Sequence, residues 1–240
     1  MMTKTSVRSL ADFEKAVKGL TAPPYRYINL FRGQGQDHPL LPCLFRLYRQ
    51  NVEAIQAKEQ ELLGKLKYRI PPDTPLCPDN DWDWLSFGQH YRLPTRLLDW
   101  SESSLIALYF AVEGSPVSPT VYVYPAPRGQ IMSEAARKKA ESPFHQTNTR
   151  IMTPSVHSVR VKLQHGWHTV HHLHPRKTGG RMVIPLLDMQ WYRDRLNIIR
   201  IERSAAETIK KDLAKRGIYH STVYGDFDRI CGGIRRDCGL

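Results

Sequence analysis

Cysteine is scarce and poorly spaced for chemistry: the four in 240 residues, Cys43, Cys77, Cys231 and Cys238, form no CxxC pair. That excludes a zinc ribbon and a thioredoxin-type motif, and a chain of this length buries a core without disulfide staples. A reducing cytoplasm is the expected compartment. Long apolar runs are missing as well. No stretch reaches eighteen residues, so no segment is predicted to span a membrane. The first thirty residues are broken by polar positions and lack the continuous apolar region of a secretory signal. No GxGxxG follows a predicted strand and no GxxxxGK(S/T) occurs, which removes the Rossmann and P-loop readings. Internal repeats and low-complexity tracts are absent too.

Acidic residues are what the second half lacks. Residues 1–120 hold 14 basic and 13 acidic side chains, whereas residues 121–240 hold 21 and 10. The second half therefore carries +11 (21 − 10) of the net charge of +12. A field this one-sided attracts polyanions and speeds their encounter, so nucleic acid or a phosphate-bearing ligand is the expected partner. A solvated surface kept for solubility is the plainer alternative. The apolar fraction of 41% and aromatic fraction of 10% suffice for an ordered core.

Periodicity predicts mixed elements without a βαβ rhythm, hence an α+β single domain. Ser9 precedes Leu10, Phe13, Val17 and Leu20 as an N-capped helix, and Pro23-Pro24 ends it. Tyr25–Phe31 reads as a buried strand that hands Arg32-Gly33 to a cleft. Helices are predicted at 53–67, Asp81–Tyr91 and Ser103–Val112, and the clearest strand at Thr120–Tyr124. Residues 142–156 read as a loop. Val159–Leu163, Trp167–Leu173, Met182–Leu187 and Asn197–Ile201 read as strands. Ser204 to Glu207 has the form of a capping box, and Gly217 closes the helix it opens.

The densest polar pattern runs Gln89-His90-Tyr91-Arg92-Leu93-Pro94-Thr95-Arg96-Leu97-Leu98-Asp99-Trp100-Ser101. An imidazole, two guanidiniums, a hydroxyl and a carboxylate surround one proline-fixed turn. An Arg96–Asp99 ion pair anchoring a loop explains the spacing as well as a site does.

Phe31-Arg32-Gly33-Gln34, this Gln-His…Pro-Thr-Arg-Leu-Leu-Asp-Trp run, and Ala107-Leu108-Tyr109-Phe110-Ala111 together resemble the FRG domain, named for its Phe-Arg-Gly signature. The likeness continues through Arg160-Val161-Lys162-Leu163-Gln164-His165-Gly166 and Ser221 to Asp228. It spans roughly residues 25–232, leaving 1–24 as a lead-in helix and 233–240 as a tail. The sequence departs from the family pattern at His168, usually Phe, and at Gly225 and Phe227, where Pro and Leu are common.

The resemblance implies a distant kinship to ADP-ribosyltransferases, with their split β-sheet ringed by helices, and to toxins and anti-phage effectors. It implies NAD as substrate, no metal, a nucleic-acid acceptor (DNA or RNA), and an antitoxin or regulatory protein as a further partner. Arg32 then grips the phosphate or ribose of NAD through its bidentate fork, beside Gly33, whose missing side chain lets a ligand reach the backbone. His90, Tyr91, Thr95 and Arg96 line the nicotinamide side, with Tyr91 or Trp84 stacking on the ring. Thr95 falls where the transferase fold places a small hydroxyl residue, though a turn hydroxyl serving the backbone is an equal reading. The family's glutamate has no plain counterpart. Gln164 stands nearest and can bond a ribose hydroxyl but cannot act as a base. Asp99, Asp226 or Asp228 could supply the carboxylate, with Asp228 the expected catalytic one. A non-catalytic nucleotide-binding module is the reading if none does.

His165, His168, His171, His172 and His174 crowd ten residues. In a strand, His168, His172 and His174 share one face, which admits a metal site and a metal-dependent nuclease using Asp226 and Asp228. No Cys or Glu lies beside them, however. A nucleic-acid edge with Arg160, Lys162, Arg176 and Lys177 is the expected reading.

Overall fold

The computed structural model describes residues 4–36, 38, 40–47, 52–71, 73–74, 77–140, 142–154, 159–172, 176–178, 181–183 and 195–225. The chain starts with β1 (Lys4–Val7), and Ser9 caps α1 (Leu10–Leu20) by accepting from the Asp12 amide at 3.1 Å. Then come β2 (Tyr27–Gln34), α2 (Cys43–Leu47), α3 (Val52–Arg69) and α4 (Asp81–His90). After them stand β3 (Leu97–Ser101), α5 (Ser104–Val112) and β4 (Thr120–Pro127). The basic half adds β5 (Ile131–Met132), α6 (Glu134–Lys139), β6 (Arg150–Met152), α7 (Val159–Leu163) and β7 (Gly166–Val170). A hairpin of β8 (Arg176–Thr178) and β9 (Arg181–Val183) precedes β10 (Asn197–Ile201), α8 (Ala206–Lys215) and α9 (His220–Tyr224).

Eight strands form one mixed sheet in the order β1-β10-β4-β2-β3-β7-β6-β5, so the α+β expectation holds. Its middle is nearly cut. β2 pairs with β4 over eight residues and β3 with β7 over five, yet β2 meets β3 only at Phe31↔Ser101. The two four-stranded halves diverge from that rung. Apolar side chains of α1, α5 and α8 pack with β1, β10, β4 and β2 in one core, including Phe13, Leu108, Val121, Ile199 and Leu213. A separate core, with Trp82, Leu85, Leu97, Phe144 and Met152, seats α4 against the other half.

Helix α5 is apolar nearly all round, as a helix buried on most sides must be. It lies directly on β2. A Cβ at Gly33 would sit 1.8 Å from the Ala107 carbonyl oxygen, so the glycine is demanded by the helix rather than by a ligand. Arg32 and Gly33 lie inside β2, which runs on to Gln34, and not beyond its end.

Other local expectations also change. Val159–Leu163 reads as a strand by alternation but is a single helical turn, because Gln164 and His165 bond back to Arg160 and Lys162. The expected strand Trp167–Leu173 is Gly166–Val170. The 142–156 loop contains a 3-10 turn at Pro143–His145 and strand β6. The capping box at Ser204 does not form: a 3-10 turn at Arg203–Ala205 leads into α8 without a side-chain cap. Gly217, at φ 77°, does end that helix, with the Ile218 amide returning to the Leu213 carbonyl at 2.9 Å. Beyond Val183 the predicted strand Met182–Leu187 lies outside the described residues.

Candidate active site in the seam of the sheet

Two adjoining hollows open where the halves part, and they share Asp99, Trp100, Arg160 and Gln164 as common wall. The first is lined by Arg32 to Gln34 of β2, by Gly35 just after it and by Phe110 of α5. The second is lined by Ser86, Gln89 and His90 of α4 and by Trp167 and His168 of β7. Asp99, midway along β3, belongs to both.

Arg32 crosses the seam. Its guanidinium donates to the Asp99 main-chain oxygen at 2.6 Å and, more weakly, from Nε to Gln34 Oε1 at 3.4 Å. Burial depresses the Arg32 pKa, the Asp99 charge opposes that, and Arg46 adds to it. The group stays cationic, as arginine does in proteins. The Asp99 carboxylate is 54% exposed toward the cleft. Gln89 donates to its Oδ2 at 3.0 Å, and His168 Nδ1 stands 3.1 Å from its Oδ1. Desolvation by the crowded cleft floor raises the Asp99 pKa, but His168, Arg32 and the Gln89 amide outweigh it and hold the carboxyl below its ordinary value.

His168 is directly opposite Asp99 in the β3–β7 register, so antiparallel pairing alone puts the two side chains on one face. Its other nitrogen, Nε2, is 3.2 Å from Ser86 Oγ. His90, half buried on α4, has its pKa lowered chiefly by burial, then by Arg160 and His168, with Asp99 opposing. On the roof, Arg160 lies over the Tyr224 ring at 5.1 Å, and Gln164 donates to the Val223 carbonyl at 3.3 Å. Helix α9 thereby steadies α7 above the cleft.

The sequence-expected residues divide sharply. Arg32, Gly33, His90, Arg160 and Gln164 line the cleft. Thr95 and Arg96 do not. Thr95 is fully buried, where its hydroxyl donates to Gln89 Oε1 at 2.7 Å and accepts from the Leu97 amide at 3.1 Å. It orients the glutamine that holds Asp99 and offers no hydroxyl to a ligand. Arg96 is sealed in the core. Its Nε donates to Glu59 Oε2 at 2.6 Å, its backbone N–H to Oε1 at 2.7 Å, and its guanidinium carbon lies 5.0 Å from the Phe144 ring centroid. The suggested Arg96–Asp99 pair therefore does not exist, because Glu59 takes the guanidinium.

Trp84 is also buried, edge-on to Phe87 at 5.6 Å, and Tyr91 is 63% exposed beside His90 without lining either hollow. Of the tryptophans at the cleft, Trp100 is buried with its Nε1 donating to Thr169 Oγ1 at 3.0 Å, and Trp167 is half-buried. Lys162 is exposed on α7. Arg176 and Lys177 lie on β8, with side chains outside the described residues, as are Asp226 and Asp228 entirely. The histidine parity fails because β7 stops at Val170. His171 is buried against Thr169 Oγ1 at 2.9 Å, and His165 sits exposed at a left-handed turn with φ 47°. No group of three His, Cys, Asp or Glu suited to a metal occurs among the described residues.

Sequence reasoning missed Ser86 altogether and gave His168 no role beside Asp99. The β3–β7 register sets His168 opposite Asp99, and the packing of α4 brings Ser86, 82 positions from His168, to its other nitrogen.

A mixed sheet split along one seam, with a cationic and carboxylate cleft in the opening, defines an α+β domain with a candidate site at its parting. Residues 28–118 match the family model of the FRG domain, in agreement with the resemblance carried by the Phe31-Arg32-Gly33 and Gln89–Trp100 motifs. The matched segment runs from β2 through α5 and so carries Arg32, Ser86, Gln89 and Asp99, while α7 and β7 complete the cleft from outside it. No curated protein and no solved structure matches the chain.

Proposed function

We propose that this protein is an NAD-dependent ADP-ribosyltransferase that releases nicotinamide and places ADP-ribose on a nucleic acid, in the manner of a toxin or anti-phage effector. One observation carries the reading: Arg32, Arg160, Asp99 and Gln164 converge on a single cleft at the parting of the sheet. Cleaving the nicotinamide–ribose bond needs two anionic phosphates held and a cationic sugar stabilised. Two guanidiniums suit the diphosphate, and an ionised carboxylate between them suits the sugar. In this reading Asp99 takes the part expected of Asp228, and Gln164 bonds a ribose hydroxyl. The half-buried Trp167 offers a flat face for a heteroaromatic ring. Arg160 and Lys162 start the polyanion track on the basic half of the chain.

The test is mass spectrometry of protein, DNA and RNA after incubation with NAD. An added ADP-ribose on nucleic acid, with free nicotinamide, supports the reading. NAD binding without nicotinamide release would instead leave a non-catalytic binding module.

A further inference from the structure

His168 Nδ1 is a buried nitrogen with no hydrogen-bond partner of good geometry among the described residues, although Asp99 Oδ1 is 3.1 Å away. Its ring is otherwise fixed, since Nε2 meets Ser86 Oγ at 3.2 Å. Ser86 is itself buried, on the second turn of α4. A ring nitrogen 3.1 Å from an ionised carboxylate is placed to exchange a proton with it. If Nδ1 takes that proton, an off-axis contact becomes a charge-assisted bond from imidazolium to carboxylate. The hydroxyl of Ser86 both donates and accepts, so it accommodates Nε2 in either protonation state by rotating.

We propose that Asp99, His168 and Ser86 form a proton relay in the cleft, and that the acceptor is a nucleobase N–H or hydroxyl that must give up a proton to be modified. This rests on the transferase reading above and narrows its acceptor. As the bond from ribose C1′ to nicotinamide breaks, its electron pair leaves with the ring, which departs neutral. A lone pair of the acceptor forms the new bond to C1′. The acceptor's proton passes to Asp99 Oδ1, then to His168 Nδ1, and later to solvent. Carboxylate and phosphate acceptors carry no such proton and have no use for the relay.

Asp99 and His168 touch the cleft and are the catalytic pair, whereas Ser86 is a positioning residue. The charges facing His168 are Asp99 on β3, His90 on α4 and Arg160 on α7, with Arg32 on β2 acting through Asp99. On β6 the cross-strand neighbour is Met152, which does not ionise.

The experiment uses the full chain, NAD and a synthetic oligonucleotide between pH 5 and 9, with His168→Gln and Ser86→Ala. His168→Gln should lower kcat for transfer by about 10²–10⁴-fold, the usual worth of a positioned base, with KM for NAD unchanged. It should also remove an ionisation from the wild-type pH profile. Ser86→Ala should keep that ionisation but shift it downward, because the imidazolium loses an acceptor for its Nε2–H. A His168→Gln enzyme with wild-type kcat and pH profile would overturn the relay while leaving the transferase intact. NMR titration of the His168 ring supplies a readout independent of turnover. A titration that moves downward in both Ser86→Ala and Asp99→Asn supports the relay even if nicotinamide release fails and sinks the transferase. A titration unmoved in both variants overturns the relay itself.

Discussion

Arg96 and Arg32 both have carboxylate-bearing neighbours, and their fates are opposite. Arg96 is closed off with Glu59, each side chain 1% exposed, bonded through both backbone and guanidinium. Arg32 spans a gap that the sheet leaves open, and the Asp99 side chain beside it faces solvent. Residue type is alike in the two cases, and both partners are distant in the chain, 37 residues for Glu59 and 67 for Asp99. What separates them is the element laid against each: α3 covers Arg96, whereas nothing pairs with β2 past Phe31 on the β3 side. A sealed guanidinium holds a fold together, and one on an open seam is available to a ligand.

The sharpest break of the comparison is Glu59→Ala. It strands the Arg96 charge in the core, where removing one partner of a buried pair costs about 3–5 kcal/mol. Urea unfolding should show that loss, and a variant of near-native stability would show that Arg96 needs no counter-charge. Arg32→Lys tests the open side. The ammonium keeps the charge but loses the planar fork, so NAD binding should weaken by roughly ten- to a hundredfold, or about 1.5–3 kcal/mol, at unchanged Tm. Calorimetric titration with NAD measures it. Intact binding would move Arg32 into the structural class of Arg96.

His171 stands within the electrostatic reach of both arginines. Burial first, then Arg96 and Arg32, push its pKa down to about 3. The unfolded chain takes up this proton at the ordinary histidine pKa of about 6.5 and the folded one does not. Between these values the unfolded state binds more protons, so folding stability rises with pH. The contribution is complete above about pH 6.5 and is lost as pH falls, by at most about 1.4 kcal/mol per unit. Comparing urea unfolding of wild type and His171→Gln at pH 7 and pH 5 isolates it. A difference that does not change with pH would mean the site admits water. The smallest expected effect is on the roof. Arg160→Ala with Lys162→Ala should reduce the log–log salt slope of oligonucleotide binding by about 0.7 per lost contact for a single strand and about 0.9 for a duplex. An unchanged slope would put the polyanion track elsewhere.

Much of the fold was legible where the signal is local. The Ser9 cap, the stop of α4 before Leu93-Pro94, the apolar α5 and the bounds of β10 all follow from periodicity and terminator residues. Val159–Leu163 was misread because five alternating residues cannot outvote the packing of α9 against them, seen where a Cβ at Gly225 would lie 3.2 Å from Leu163. In the site, Arg32 and Gln164 were legible from motif position. The burial of Arg96 was not, since its partner lies 37 residues away on another helix. The Asp99–His168 meeting was equally hidden, because it is a property of strand register and not of either segment alone.

The glycine beneath α5 will distort any reading of this site by saturation mutagenesis. Every replacement at Gly33 drives a side chain into the Ala107 carbonyl and pries the helix from the sheet. Such variants will vanish from a library scored for activity, and the position will look as catalytic as its neighbour. Scored for protein abundance, they will vanish again, while Arg32 variants remain. The ratio of the two scores, position by position along β2, separates the residue that shapes the cleft from the residue that uses it.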